Sequence, residues 1–250
     1  MAGHSHWAGI KHKKALVDNK RGKLWSKLSK ALMVAARMGG GDIDVNIRLR
    51  TAIIDARAAS MPKDTIERAI KKGTGELDGG NVEEVLYEGY GPGGVAVLCE
   101  IMTDNRNRTA PEIRKLFELN GGKLGSSNCV AWMFERKGLV VISQESCNED
   151  QLLDVVLEAG GDDVRSESQG YEVTCEPDQY MAVCEALDSA EIPVISKQVT
   201  RIPSNTVALD DPTTRKALHL LELLDDHDDV QNVSANLDIS AELMAEMQND

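Results

Sequence analysis

Apolar residues recur at fours from Leu24 through Leu28 and Leu32 to Ala35, with Trp25 beside them. That period predicts a helix, and Gly39-Gly40-Gly41 stops it. Asp44 can cap a second helix that carries Ile47, Ile54 and Ala58 along one side. Met61-Pro62 separates it from a third. There Pro62 suits the first helical position, where its missing N–H has no helical partner. Ile66, Ala69 and Ile70 supply the apolar side of the third helix and Gly73 ends it, so residues 23–73 read as a small three-helix unit.

After a linker-like stretch at residues 74–81 the period changes. Val85 to Tyr90 and Val95 to Met102 read as two strands joined by Gly91-Pro92-Gly93-Gly94. Thr109-Ala110-Pro111-Glu112 has the spacing of a capping box and opens a helix through Ile113, Leu116, Phe117 and Leu119, closed by Gly121-Gly122. Val130 to Phe134 reads as a further strand. Next comes a self-contained cycle. It runs strand (Leu139–Ile142), helix (Glu149–Glu158), a hairpin around Gln169-Gly170, helix (Asp178–Leu187) and strand (Val194–Thr200). That order, βαββαβ, is the ferredoxin-like one. A short strand (Thr206–Leu209), a helix from Pro212 to about Leu224 and a strand near Val230–Val233 can complete the sheet begun at residue 85. The expected fold is α+β: a three-helix N-terminal domain followed by two ferredoxin-like α/β domains, one inserted in the other. The expected division is a basic flexible arm (1–22), the three-helix domain (23–80), an α/β domain (81–136 plus 203–237), the inserted domain (137–202) and a frayed tail (238–250).

Composition narrows the class. Hydrophobic residues make up 42% but aromatics only 4%, so the cores must rest on aliphatic side chains. The chain has no apolar run of membrane-spanning length and no apolar signal core after Met1, so a cytoplasmic protein without membrane contact is expected. Cys99, Cys129, Cys147, Cys175 and Cys184 are odd in number and form no CxxC pair. They read as small packing residues in a reduced compartment, not as a disulfide or zinc framework.

Charge changes the picture most. Residues 1–72 hold 16 basic and 6 acidic residues, a net +10, within a chain of net −13, which leaves −23 on the rest. Such asymmetry points to a polyanion partner for the basic end. The candidate nucleic-acid-binding residues are His4, His6, Trp7, Lys11, His12, Lys13, Lys14, Lys20, Arg21, Lys23, Lys27 and Lys30, together with Arg106 and Arg108 farther on. Clustered Lys and Arg neutralise phosphates and release counterions; the alternative is a solvated basic face. Trp7 can stack on a base or pack onto the domain. The spacing of His4, His6 and His12 supports no standard metal site.

Asp104-Asn105-Arg106-Asn107-Arg108 precedes a helix N-terminus, where backbone N–H groups favour anions. It reads equally as a phosphate site or as a turn whose Asp and Asn hold the backbone. Asp225, Asp226, Asp228 and Asp229 lack the spacing of a calcium loop and read as a solvated helix end or a protein-facing acidic patch. Enzyme signatures fail. Gly91-Pro92-Gly93-Gly94 joins strands instead of opening a helix. In Gly121-Gly122-Lys123-Leu124-Gly125-Ser126-Ser127, Leu124 stands where a phosphate loop needs Ser or Thr. No GxSxG occurs, and His219 reads as a helix-surface residue. No catalytic residue, cofactor, metal or small-molecule substrate is expected.

Several motifs together resemble one family. They are Ala2-Gly3-His4-Ser5-His6-Trp7, Lys11-His12-Lys13-Lys14, Lys20-Arg21-Gly22-Lys23, Gly39-Gly40-Gly41, Tyr87-Glu88-Gly89-Tyr90-Gly91-Pro92-Gly93-Gly94, Asp104-Asn105-Arg106-Asn107-Arg108-Thr109, Ile202-Pro203-Ser204, and Leu224-Asp225-Asp226 with Val230-Gln231-Asn232-Val233. In these the chain is similar to the YebC/PmpR family over nearly its whole length. The resemblance implies a helical N-terminal domain and two α/β domains around a cleft, and a non-enzymatic role. It implies a DNA-binding transcriptional regulator. The alternative that it carries is a ribosome-associated translation factor contacting ribosomal RNA, as in the mitochondrial translational activator of cytochrome c oxidase and in bacterial members that relieve stalling at proline-rich stretches. Position 6 is His where the family commonly has Lys, which removes one phosphate contact from the arm.

Overall fold

A computed structural model describes residues 21–79, 81–167, 170–240, 243 and 246. Three helices open it: α1 (Arg21–Gly39), α2 (Ile47–Ala58) and α3 (Lys63–Gly73). Leu32, Ala35 and Ala36 of α1 meet Leu49, Ala52, Ile53 and Ala56 of α2 and Ile66 and Ala69 of α3 in one core. The α1–α3 contact is close because Gly73 lacks a side chain. A Cβ there would lie 2.4 Å from the Met33 carbonyl oxygen and 2.8 Å from the Ala36 Cβ.

Three expectations for this unit change. The cap of α2 is Asn46, not Asp44. Its side chain accepts from the Leu49 N–H at 3.0 Å and donates to the Ala35 and Gly40 carbonyls at 2.9 and 2.8 Å, so it also ties α2 to the end of α1. The inward face of α2 is therefore Leu49, Ala52, Ile53 and Ala56. Ile47 and Ile54, expected on the apolar side, are 61% and 40% exposed, and Ala58 is exposed as well. Pro62 stands one position earlier than expected, as the cap residue of α3.

The first sheet has the order β3-β1-β2-β9, built from β1 (Glu83–Tyr90), β2 (Ala96–Thr103), β3 (Lys123–Leu124) and β9 (Val230–Ala235). All of its neighbours are antiparallel. Helices α4 (Arg106–Leu119) and α7 (Asp211–Asp225) pack on one face, where Val97, Cys99 and Ile101 meet Ile113, Phe117, Leu218 and Leu221. This is the four-strand, two-helix ferredoxin-like layout reached by a different chain order. Strand β2 is buried on its other face too. There Ala96 and Leu98 meet Val130 and Phe134, Met102 meets Val34 and Val82, and Glu100 bonds Arg201 at 3.2 Å. One strand thus touches all three units, which explains why it reads as a continuous apolar run instead of an alternating one.

The second sheet runs β5-β6-β4-β7, the ferredoxin-like order, through β4 (Phe134–Ile142), β5 (Gly161–Glu167), β6 (Gly170–Cys175) and β7 (Val194–Pro203). Helices α5 (Glu149–Glu158) and α6 (Tyr180–Ser189) cover one face, with Val140, Ile142, Val173, Leu152, Val156, Val183 and Leu187 between. β4 and β7 pair from Phe134↔Pro203 to Ile142↔Val194, forming a ribbon that leaves the first sheet and returns to it. The expected strand Val130–Phe134 is instead a short 3-10 turn (Ala131–Met133) feeding β4. The five cysteines are free thiols. A short parallel pair, β8 (Val207–Ala208) with β10 (Leu237–Asp238), closes the chain. Ile239 and Leu243 beyond it are buried in the first core, so the expected tail is not wholly frayed. Among the described residues no helix is long and apolar enough to cross a membrane.

Asn46→Ala removes the cap of α2 and both of its bonds to the end of α1. It is expected to lower stability by about 1–3 kcal/mol in urea unfolding, while Asp44→Ala changes it by about 0.5 kcal/mol or less. Equal losses in the two variants would return the cap to Asp44.

Candidate nucleic-acid interface and the charged hub behind it

His4, His6, Trp7, Lys11, His12, Lys13, Lys14 and Lys20 lie outside the described residues, and Arg21 begins α1. Lys23, Lys27 and Lys30 share one side of α1, as their spacing requires. That side faces the protein. Lys23 Nζ donates to the Asp226 carbonyl at 3.1 Å, Lys27 Nζ to the Asp225 carbonyl at 2.5 Å and Lys30 Nζ to the Asp228 carbonyl at 3.0 Å. These oxygens lie at or just beyond the C-terminal end of α7, where carbonyls lack helical partners and the helix dipole is negative. Three ammonium groups therefore clasp the helical unit onto the end of a helix from the first α/β unit.

Behind the clasp sits Asp229, 2% exposed. Its Oδ1 accepts from Lys30 Nζ at 2.5 Å; its Oδ2 accepts from Arg108 Nη2 at 2.7 Å, Thr109 Oγ1 at 2.7 Å and Thr103 Oγ1 at 3.2 Å. Burial alone would push this carboxyl up. The hydrogen bonds from Lys30, Arg108 and Thr109, with the Lys30 charge, outweigh it and hold the group well below the usual carboxylate range.

The Asp104–Thr109 motif wraps around this hub. Asn105 caps α4, accepting from the Arg108 N–H at 3.1 Å, while its own N–H donates to Thr103 Oγ1 at 3.0 Å. The helix thus starts at Arg106, and Thr109, expected as the cap, lies inside it with its hydroxyl on Asp229. Arg108 also reaches Asp104 at 3.2 Å, and Arg106 lies 3.6 Å from Glu83. Asp104 and Asn105 hold the turn, and both arginines face carboxylates.

His227 and Asp229 carried no signal in the sequence beyond an acidic run. The Asp229 N–H donates to His227 Nδ1 at 3.1 Å, so the ring proton sits on Nε2, 3.1 Å from Glu112 Oε2. Glu112, His227 and Asp229 bring one ligand atom each within 4.8 Å of one another. Both Asp229 oxygens already bind cations, however, and Lys30 and Arg108 oppose a further positive charge. Among the surface cations not singled out by sequence are Arg57, Arg68, Lys71 and Lys72. They are exposed on α2 and α3 and form no ion pair among the described residues.

Replacing Asp229 by Ala leaves Lys30 and Arg108 facing a void and is expected to cost about 3–5 kcal/mol. Because the folded-state pKa of Asp229 is depressed, its contribution is present above the unfolded value near 4 and is lost as the pH falls through the folded value. Urea midpoints measured from about pH 6 to pH 3 should fall more steeply for the wild type than for Asp229→Asn; parallel curves would remove Asp229 from the acid response.

Comparison with known proteins agrees with this architecture. Residues 5–76 match the TACO1/YebC protein N-terminal domain, and residues 82–237 match the TACO1/YebC second and third domain. A probable transcriptional regulatory protein of Natranaerobius thermophilus is 56% identical over 247 residues, covering 98% of this chain and 99% of that one. One of Rhodopirellula baltica is 56% identical over 247 residues, covering 98% and 100%. The crystal structure of a conserved hypothetical protein from Aquifex aeolicus superposes with a TM-score of 0.84 at 47% identity, covering 94% of this chain and 97% of that one. With both family matches in chain order and identity above half along nearly the full length, this chain belongs to the TACO1/YebC family.

Proposed function

We propose that this protein is a non-catalytic, cytoplasmic regulator of gene expression that binds nucleic acid through its basic N-terminal segment. The observation that carries the reading is the charge division, +10 on residues 1–72 against −23 on the remainder. A segment of that charge neutralises several phosphates, and the acidic remainder suppresses nonspecific adhesion. The names of the relatives, probable transcriptional regulatory proteins, favour DNA as the polymer.

In this reading the contact surface is the arm, residues 1–22, with Lys11, Lys13, Lys14 and Lys20, extended by Arg57, Arg68, Lys71 and Lys72 on the helical unit. Lys23, Lys27 and Lys30 hold that unit in place instead of touching phosphate. The two α/β units, divided near residues 137 and 202, position it. A second reading, ribosomal RNA as the target, stands equally well on one observation. The basic side of α1 is turned onto α7 and is not offered as a base-reading helix, so the remaining cations recognise phosphate in either polymer. No small-molecule substrate enters either reading.

Lys13→Glu combined with Lys14→Glu should weaken binding in proportion to low salt and reduce the slope of log affinity against log salt by roughly two, with unfolding unchanged. Binding indistinguishable from wild type at physiological salt would remove the arm from the mechanism. Crosslinking in cells with sequencing of attached DNA and RNA separates the polymers. Promoter DNA supports the transcriptional reading; large-subunit ribosomal RNA supports the translational one.

A further inference from the structure

The first sheet carries a second exposed feature, at the end opposite the Asp229 hub. Trp132 is 73% exposed and Tyr90 42% exposed, in a chain with few aromatics. Their polar atoms converge on one acceptor: Tyr90 Oη and Trp132 Nε1 each donate to the Cys129 carbonyl at 3.2 Å. Both rings are thereby fixed, and their hydrogen-bonding edges are used within the protein, which leaves ring faces as what they present.

The loop that holds them is itself built. Glu88, 4% exposed, accepts from the Asn128 N–H at 2.6 Å, the Val130 N–H at 2.8 Å and the Ala131 N–H at 2.7 Å, and its own carbonyl accepts from the Gly125 N–H at 2.7 Å. A buried carboxylate with three backbone donors makes residues 125–132 a rigid turn across the sheet. Lys123 stands directly opposite Tyr90 in the β1–β3 pairing, so its side chain shares the Tyr90 face. Lys123 is exposed and forms no ion pair among the described residues. Glu83 and Thr103 mark the hub end of the β1–β2 hairpin and Tyr90 and Ala96 the other. At about 3.4 Å per residue the two ends lie roughly 24 Å apart.

We infer that Trp132 and Tyr90, with Lys123 beside them, form a stacking platform for unpaired bases of single-stranded nucleic acid. Pinned rings offer sequence-tolerant π-faces, and the adjacent ammonium complements a phosphate. Duplex DNA, with its bases stacked internally, gains nothing from it. The inference rests on the proposed nucleic-acid function and adds a second contact, remote from the basic arm and of different physics: aromatic stacking is not counterion release, so it leaves the salt slope alone.

The test uses the full chain, with fluorescence anisotropy of labelled oligouridine, oligothymidine and a mixed-sequence duplex over a salt series. Trp132→Ala should weaken both single strands by roughly 5- to 100-fold at every salt concentration with the slope unchanged, leave duplex binding as in wild type, and leave the melting temperature unchanged. Trp132→Phe should recover much of the loss. Ultraviolet crosslinking of wild type to oligouridine, read by mass spectrometry, should mark the peptide holding Trp132 and needs no variant to fold. If Trp132→Ala binds single strands as wild type does while the double lysine variant is weakened, the platform is overturned and the arm stands. If wild type binds none of the three polymers, the proposed function falls and the platform with it.

Discussion

A single buried carboxylate, Asp229, ties the helical unit to the first α/β unit. It lies at the start of β9 and accepts from Lys30 of α1, from Arg108 and Thr109 of α4, and from Thr103 at the end of β2. An ionised carboxyl taken out of water is tolerable only with such partners. Here they come from three places along the chain, α1, the end of β2 and the first turn of α4, so each is placed relative to the others. The helical unit, the α4 N-terminus and the α7–β9 turn cannot shift independently without leaving charge unpaired. The neighbouring lysine-to-carbonyl contacts at the end of α7 extend the same logic to backbone dipoles.

This arrangement divides the basic residues into two populations. Lys23, Lys27 and Lys30 act inward, against an acidic and dipolar helix end. Arg57, Arg68, Lys71 and Lys72, on the outer surfaces of α2 and α3, are exposed instead. The charge imbalance between the two parts of the chain therefore draws the helical unit onto the α/β body through Lys23, Lys27 and Lys30, and the exposed cations of α2 and α3 lie outside that contact. The same division accounts for the acidic run at residues 225–229, which serves the protein's own assembly. At the far end of the sheet Glu88 plays a comparable role on a smaller scale, using backbone N–H donors in place of cations to fix a loop.

Strand β2 supplies the apolar half of the same assembly. With both faces buried, it contributes to the α4–α7 core through Val97, Cys99 and Ile101 and to the contacts with the other two units through Ala96, Leu98 and Met102. Glu100 is the polar exception on that second face. It is satisfied by Arg201 from the β4–β7 ribbon, so the inserted unit is held by charge as well as by the Phe134 contact.

The sequence by itself determined the elements and their class. Local period, caps and glycine stops are short-range physics: α5 begins after Asn148, whose side chain accepts from the Asp150 N–H, and ends before Gly160 at φ +84°, and both signals are readable along the chain. The βαββαβ order, the family motifs and the charge asymmetry were legible for the same reason. Only the tertiary structure decided which face of α2 turns inward, because Asn46 competes with Asp44 for the cap through bonds to α1. It also decided that Lys23, Lys27 and Lys30 face α7, and that one aspartate of an ordinary acidic run is buried. Those outcomes depend on partners in other elements, 6 and 11 residues away for Asn46 and 198 to 203 for the lysines, which no local pattern of hydrophobicity or charge encodes.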